Sequence, residues 1–329
     1  MRLPRFHYFE PGTLEGTLSL LEEHRDRCKV LAGGTDLLVA MKRRLQTPAN
    51  VISLAGVPLL DGISENNGTL VIGPMTTLER IAGAPEIHEK VPGLARAAWE
   101  VGSPLLRTVA TIGGNLCLDT RCRFYNQSRF WRTTKGPCCK TGGDRCHVTG
   151  RENTCYSSFS GDVAPMLIAL GAAIKLVSRQ GERILPLKDF YTGDGRRPNL
   201  FSDGSSGIMT SIQVPIPSRQ AKSTYRKFRF RESIDFPVVG VAVTIEKSHN
   251  EAACQDIRIV LTGVGSRPVE ALGARQQALG RILSPAVVAT MAETAASEVH
   301  PVRTDTVTPY YKRNLARIMV AEAIEELGG

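Results

Sequence analysis

Six of the eight cysteines fall in one stretch, at positions 117, 122, 138, 139, 146 and 155, while Cys28 and Cys254 stand alone. The stretch opens on Thr111-Ile112-Gly113-Gly114-Asn115 and closes on Gly161-Asp162-Val163-Ala164-Pro165. Four separated thiolates on a glycine- and arginine-rich loop are what an iron–sulfur core needs, because each iron takes one cysteine sulfur and the loop must wrap a compact inorganic body. Cys122, Cys138, Cys146 and Cys155 are spaced for that role. Cys138 and Cys139 are neighbours, and two adjacent side chains rarely reach one core together, so either can serve, with Cys138 preferred. Cys117 lies close behind the glycine pair and is the expected bystander.

Two other chemistries compete for the same sulfurs. Disulfides need an oxidising compartment, and Met1-Arg2-Leu3-Pro4-Arg5-Phe6-His7 shows no apolar run of signal-peptide length, so reduced cysteines and a cytoplasmic location are expected. A structural zinc usually sits on paired C-x-x-C knuckles, which are absent, although Cys146-His147 offers a mixed ligand pair. On spacing alone zinc stays open.

A second kind of site is written in glycine. Lys29-Val30-Leu31-Ala32 reads as a buried strand running into Gly33-Gly34-Thr35-Asp36 and a helix with Leu37, Leu38 and Met41. A strand, a double-glycine turn and a helix start present several backbone N–H groups to one point with no Cβ to block approach, which suits a pyrophosphate. One such junction is a common connector; the second glycine pair, Gly113-Gly114, makes a cradle of two loops. The fingerprint G-x-G-x-x-G is absent, so a nicotinamide-type dinucleotide fold is not supported. Asp162 opens an apolar helical run, where an aspartate is either a helix cap or a partner for a sugar or ribityl hydroxyl.

The elements that must position these residues read in order. Thr13 is placed to cap a helix whose Leu14, Leu18 and Leu21 share a face. Strands are expected at 50–54, 69–73, 173–177 and 208–214, the last after a Gly- and Ser-rich link at 201–207, with helices at 78–84, 91–99 and 163–170. Pro215 and Pro217 mark a boundary. Beyond it, strands at 224–230, 238–245 and 257–261 precede three alanine-rich helices, the last over about 308–327 with Leu315, Ile318, Met319 and Ala323 inward. This reads as a self-contained antiparallel sheet covered by helices.

With 329 residues, 42% hydrophobic and 22% charged, the chain has the composition of a globular protein of two or three domains without a membrane span. The net charge of +9 gathers in the cysteine stretch, in Arg121, Arg123, Arg129, Arg132, Lys135, Lys140, Arg145 and Arg151 against Asp119, Asp144 and Glu152. Cations around a negatively charged thiolate core are expected whatever the partner. The low aromatic content, 6%, and the lack of a recognition motif argue against nucleic acid.

The ordered set Ala32-Gly33-Gly34-Thr35-Asp36, Thr111-Ile112-Gly113-Gly114-Asn115 and Asp162-Val163-Ala164-Pro165 resembles the FAD-binding subunit of the xanthine oxidase family of molybdenum hydroxylases. The resemblance implies an α+β chain of three domains: an N-terminal α/β subdomain over 1–57, a middle α/β subdomain over 58–216, and an antiparallel sheet with three helices over 217–329. It implies FAD held by Lys29, Val30, Leu31, Ala32, Gly33, Gly34, Thr35 and Asp36, and by Thr111, Gly113, Gly114 and Asn115. Asp162 is then expected on the ribityl side, Lys227 near the flavin, and Met209 as an apolar flavin contact. The segment at about 121–160 departs from the usual family pattern and resembles an insertion carrying an additional [4Fe-4S] cluster. The implied partners are a molybdenum-binding large subunit and a [2Fe-2S] small subunit in a hetero-oligomer. An acidic ferredoxin as electron donor, steered by the basic segment, is a further expectation.

Overall fold

A computed structural model describes residues 2–203, 207–248, 253–304 and 306–328. Part of the expected Gly- and Ser-rich link, 204–206, lies outside the described residues. The N-terminal unit is a three-stranded parallel sheet ordered His7–Phe9, Asn50–Ser53, Cys28–Leu31, crossed by the helix Leu14–His24. Asn50–Ser53 is buried at every residue, as a central parallel strand must be. Thr13 caps the helix by accepting from Gly16 N at 3.1 Å.

The middle unit is antiparallel throughout, ordered Ile63–Asn66, Thr69–Ile72, Gly207–Pro215, Ala173–Ser178, Gly181–Pro186. Its core faces helices Leu78–Gly83, Pro92–Trp99 and Val163–Ala169. The other face of the sheet is shared with the N-terminal unit, since Val177 and Ile208 join Leu18, Ile52 and Leu60. The approach to the second glycine pair, 107–110, is the end of the short helix Pro104–Arg107 and a turn; Pro104 sits in the first helical turn and Ser103 caps it.

The third sheet, ordered Lys222–Phe228, Val239–Lys247, Cys254–Thr262, Val269–Glu270, carries helices Leu272–Ala278, Pro285–Ser297 and Pro309–Glu326 on one face. It is not self-contained: Tyr225, Ala242 and Val260 turn the other way into the middle core. Burial on both faces explains why Val239–Ile245 reads as an almost unbroken apolar run. On the last helix Ile318 is exposed, and Lys312, Ala316, Met319, Val320 and Ala323 form the inner face. The lone cysteines, Cys28 and Cys254, are both buried. No helix among the described residues is long and apolar enough to cross a membrane.

Candidate functional site

The two glycine motifs meet. A Cβ on Gly33 would lie 1.8 Å from Val109 O, so only glycine allows the first loop to rest on the approach to the second. Gly34 has φ +74°, the left-handed turn that carries the chain from the strand Cys28–Leu31 to the helix Leu37–Lys42. Lys29, Val30 and Leu31 lie on that strand, and Ala32, Gly33, Gly34, Thr35 and Asp36 in the turn. Across from them, Ala32 Cβ is 3.9 Å from the position a Cβ on Gly114 would take.

The second pair is not a turn. Gly113 and Gly114 belong to the short helix Ile112–Leu116, capped by Thr111 Oγ1, which accepts from Gly114 N at 3.1 Å. Ile112 N donates to Thr76 O, Gly113 N to Pro74 O and Asn115 N to Thr111 O. The expectation that both glycine pairs present free amides is therefore not met at the second, which contributes closeness instead: a Cβ on Gly113 would lie 2.6 Å from Pro74 Cβ.

Asp162 sits at the N-cap position of the helix Val163–Ala169 but makes no side-chain cap. That work falls to Asn115, whose Oδ1 accepts from Val163 N at 3.3 Å. The Asp162 carboxylate, 3% exposed, accepts from Tyr225 Oη at 2.7 Å and Lys227 Nζ at 3.1 Å. Burial pushes its pKa up against the pull of the Lys227 ammonium and the Tyr225 hydroxyl. Lys227 is no solvated strand lysine: its side chain is fully buried, and it also donates to Glu100 O at 2.8 Å. Met209 is buried in the middle core, on the face of its strand opposite Ile208.

The cysteine segment is rooted by reciprocal backbone bonds between Arg121 and Ser158, both 2.8 Å. Its regular structure is slight: the helix Arg129–Lys135 and a turn of 3₁₀ helix at Cys139–Thr141. Cys122, Cys138, Cys139, Cys146 and Cys155 line one small cavity, with Val148 and Tyr156 at its wall. Cys117 does not join them; it packs at the edge of the middle core, where burial pushes its thiol up to about 12.

Hydrogen bonding separates the five sulfurs. Cys122 Sγ accepts from Tyr125 N at 3.1 Å, Cys138 Sγ accepts from Thr141 Oγ1 at 3.5 Å, and Cys155 Sγ lies 3.2 Å from Ser157 Oγ. Burial alone would raise the Cys146 thiol, yet bonds from the Thr149 side chain and from the Thr149, Val148 and Tyr156 backbone hold it below the usual value. Cys139 instead donates its proton to Asp144 O at 3.2 Å. Donors aimed at sulfur favour the thiolate, and a thiol tied to a carbonyl does not. Cys138 and Cys139 thus differ in what their sulfurs bond, while burial raises the thiols of Cys122, to about 11, and of Cys155 as it does that of Cys139.

One support carried no sequence signal. Gly195, in the hairpin joining Tyr191–Asp194 to Arg197–Asn199, presses on the cavity wall: its N donates to Cys155 O, and a Cβ there would meet Cys155 Sγ at 2.9 Å. His147, the expected mixed zinc ligand, stacks on Phe124 at 4.4 Å with Nε2 3.1 Å from Pro137 O. No group of three or more His, Cys, Asp or Glu side chains among the described residues is arranged to hold a metal ion. Of the eight basic residues, Arg121, Arg132 and Lys140 turn inward, to Asp36 at 3.2 Å, Arg44 O at 3.2 Å and Asp119 at 2.6 Å. The first of these ties the cysteine segment to the first glycine loop.

Comparison with known proteins accords with this layout. A family described as the FAD binding domain in molybdopterin dehydrogenase matches residues 4–217, and the CO dehydrogenase flavoprotein C-terminal domain matches 223–327. The carbon monoxide dehydrogenase medium chain of Hydrogenophaga pseudoflava is 27% identical over 321 residues, 98% of this chain and 96% of its own length. The nicotinate dehydrogenase FAD-subunit of Eubacterium barkeri is 30% identical over 244 residues, 73% of this chain and 69% of its own length. A solved structure of the Hydrogenophaga pseudoflava carbon monoxide dehydrogenase aligns with a TM-score of 0.82 at 27% identity, covering 99% of this chain and 98% of that one. Asp162 falls in the first matched region and Lys227 in the second, so their buried ion pair fastens the two together. On these matches the chain belongs to the FAD-binding subunits of the xanthine oxidase family of molybdenum hydroxylases, as a flavin-carrying oxidoreductase subunit.

Proposed function

We propose that this chain is the electron-transfer subunit of a molybdenum-containing aromatic acyl-CoA reductase of the 4-hydroxybenzoyl-CoA reductase type. One observation carries the reading. Of the five cysteine sulfurs lining a common cavity, four lie beside a hydrogen-bond donor, in a segment whose first residue is ion-paired to the first glycine loop. The segment resembles the insertion of the 4-hydroxybenzoyl-CoA reductase flavin subunit, which carries an additional [4Fe-4S] cluster.

The residues fit that group better than zinc. Four thiolates on one tetrahedral zinc stand about 3.8 Å apart, given a Zn–S distance of about 2.3 Å. A cubane core spreads its ligands wider, in keeping with sulfurs that share a cavity without forming a single-ion site. Cys122, Cys138, Cys146 and Cys155 would hold the cluster, and the loops at 29–36 and 111–115 with Asp162, Met209 and Lys227 the FAD. FAD can take up and release electrons singly or in pairs, and a [4Fe-4S] core moves one at a time, so together they would supply a single-electron relay.

The relay runs from an acidic ferredoxin towards [2Fe-2S] centres on a small subunit and molybdenum on a large one. There the phenolic hydroxyl of 4-hydroxybenzoyl-CoA leaves as water, with two electrons and two protons taken up, to give benzoyl-CoA. The exposed Arg129, Lys135, Arg145 and Arg151 are among the cations facing outward that would steer the donor, so its reaction should slow as salt rises. Absorption and EPR spectra of the anaerobically purified chain, before and after dithionite, test the reading. An iron–sulfur signal beside the flavin supports it; flavin alone, or zinc in place of iron and sulfide, contradicts it.

A further inference from the structure

Lys140 is the group at the cage that the relay leaves without a role. Its side chain is 6% exposed, and its ammonium donates to Asp119 Oδ1 at 2.6 Å, Thr120 Oγ1 at 2.6 Å, Gly195 O at 2.7 Å and Thr120 O at 3.2 Å. It also lies 4.9 Å from the Tyr125 ring centroid and lines the same cavity as the sulfurs. Burying an ammonium costs several kcal/mol unless its surroundings are arranged for it, and here four acceptors are. Only one of them is charged, and that carboxylate is partly exposed at 26%, so the site as a whole keeps positive character. Arg196, another cation near the cage, is exposed and bound to Asp194 at 2.8 Å, where solvent screens it.

A thiolate-bound cluster is anionic and gains one further negative charge when it takes one electron; no bond breaks and no proton moves. A fixed cation in a water-poor wall favours the reduced form, because the attraction is poorly screened. We propose that Lys140 is a positioning residue for electron transfer, whose buried charge raises the reduction potential of the cluster held by Cys122, Cys138, Cys146 and Cys155. The proposal rests on the cluster reading above. Asp119 opposes Lys140, so neutralising either member of the pair moves the potential in opposite directions.

The test is an EPR-monitored redox titration of the full chain, with iron and sulfide measured on each sample. Lys140→Gln retains its iron and shifts the one-electron equilibrium towards the oxidised form about tenfold, or about 59 mV more negative. Asp119→Asn shifts it the other way by a few-fold, and Lys135→Gln, exposed on the same segment, changes it less than either. A Lys140→Gln protein with full iron and an unchanged potential overturns the proposal, as do Lys140→Gln and Asp119→Asn shifts of the same sign. Where Lys140→Gln fails to load iron, the sign of the Asp119→Asn shift decides: more positive supports the proposal, and more negative or unchanged overturns it. Wild-type chain without iron overturns the cluster reading itself, a result seen before any variant is compared.

Discussion

The proposed flavin cradle and the cysteine cage adjoin one another and are built from opposite materials. The cradle is made by what is missing: Gly33 and Gly113 let backbone press on backbone, at Val109 and Pro74, with large cores on either side. The cage is made by side chains on a segment whose own apolar cluster is three cysteines with Val148 and Tyr156 against it. Phe124, Tyr125 and Phe159 are also buried, so the segment gains packing energy near its two ends, while its middle holds few apolar side chains. Its end is pinned by the Arg121–Ser158 pair and its flank by Gly195, and on the proposed cluster reading its interior depends on what the sulfurs bind. On that proposed reading, the difference teaches that one site is shaped before its ligand arrives and the other is completed by it.

That contrast can be broken most sharply at a single ligand. Cys146→Ser should lose essentially all iron while flavin content stays near wild type, and a protease should then cut within 121–160 and spare the rest. Iron analysis with mass spectrometry of the fragments checks both halves. Survival of the segment intact without iron would show that the cage is shaped in advance after all.

The converse variant works on the cradle. Gly33→Ala places a methyl where Val109 O now sits, so the loops must part, at a cost of about 1–3 kcal/mol. Flavin affinity measured by equilibrium titration should fall roughly 10- to 100-fold, with iron unchanged. The smallest effect belongs to Cys139→Ser, which should keep its iron, since that thiol is bonded to Asp144 O. Cys138→Ser should not. A reversed outcome for this pair would move the ligand by one residue and leave the rest of the cage as described.

Local signals carried the cradle well. Thr13 caps its helix as read, and the strand-to-Gly33-Gly34 turn stands where the apolar run and the two glycines put it. What local reading could not supply was the long-range partner. Asp162 looked like a helix cap because it precedes an apolar helical run, yet Tyr225 and Lys227, more than sixty residues on, claim its carboxylate and leave the cap to Asn115. Lys227 on an alternating strand carries no mark of burial until the middle core is seen behind it. Gly195 is similarly silent: a glycine in a Gly-Arg-Arg turn is unremarkable until Cys155 lies against it. The helix at Ile112–Leu116 was hidden by its glycines, which disfavour helix and are kept there for closeness to Pro74.

The central claim is that the cage feeds the flavin. Its most direct test is the rate at which reduced ferredoxin fills bound FAD, followed by stopped-flow absorbance in wild type and Cys146→Ser at equal flavin loading. The account predicts flavin reduction at least tenfold slower in the variant; equal rates in the two proteins would contradict it.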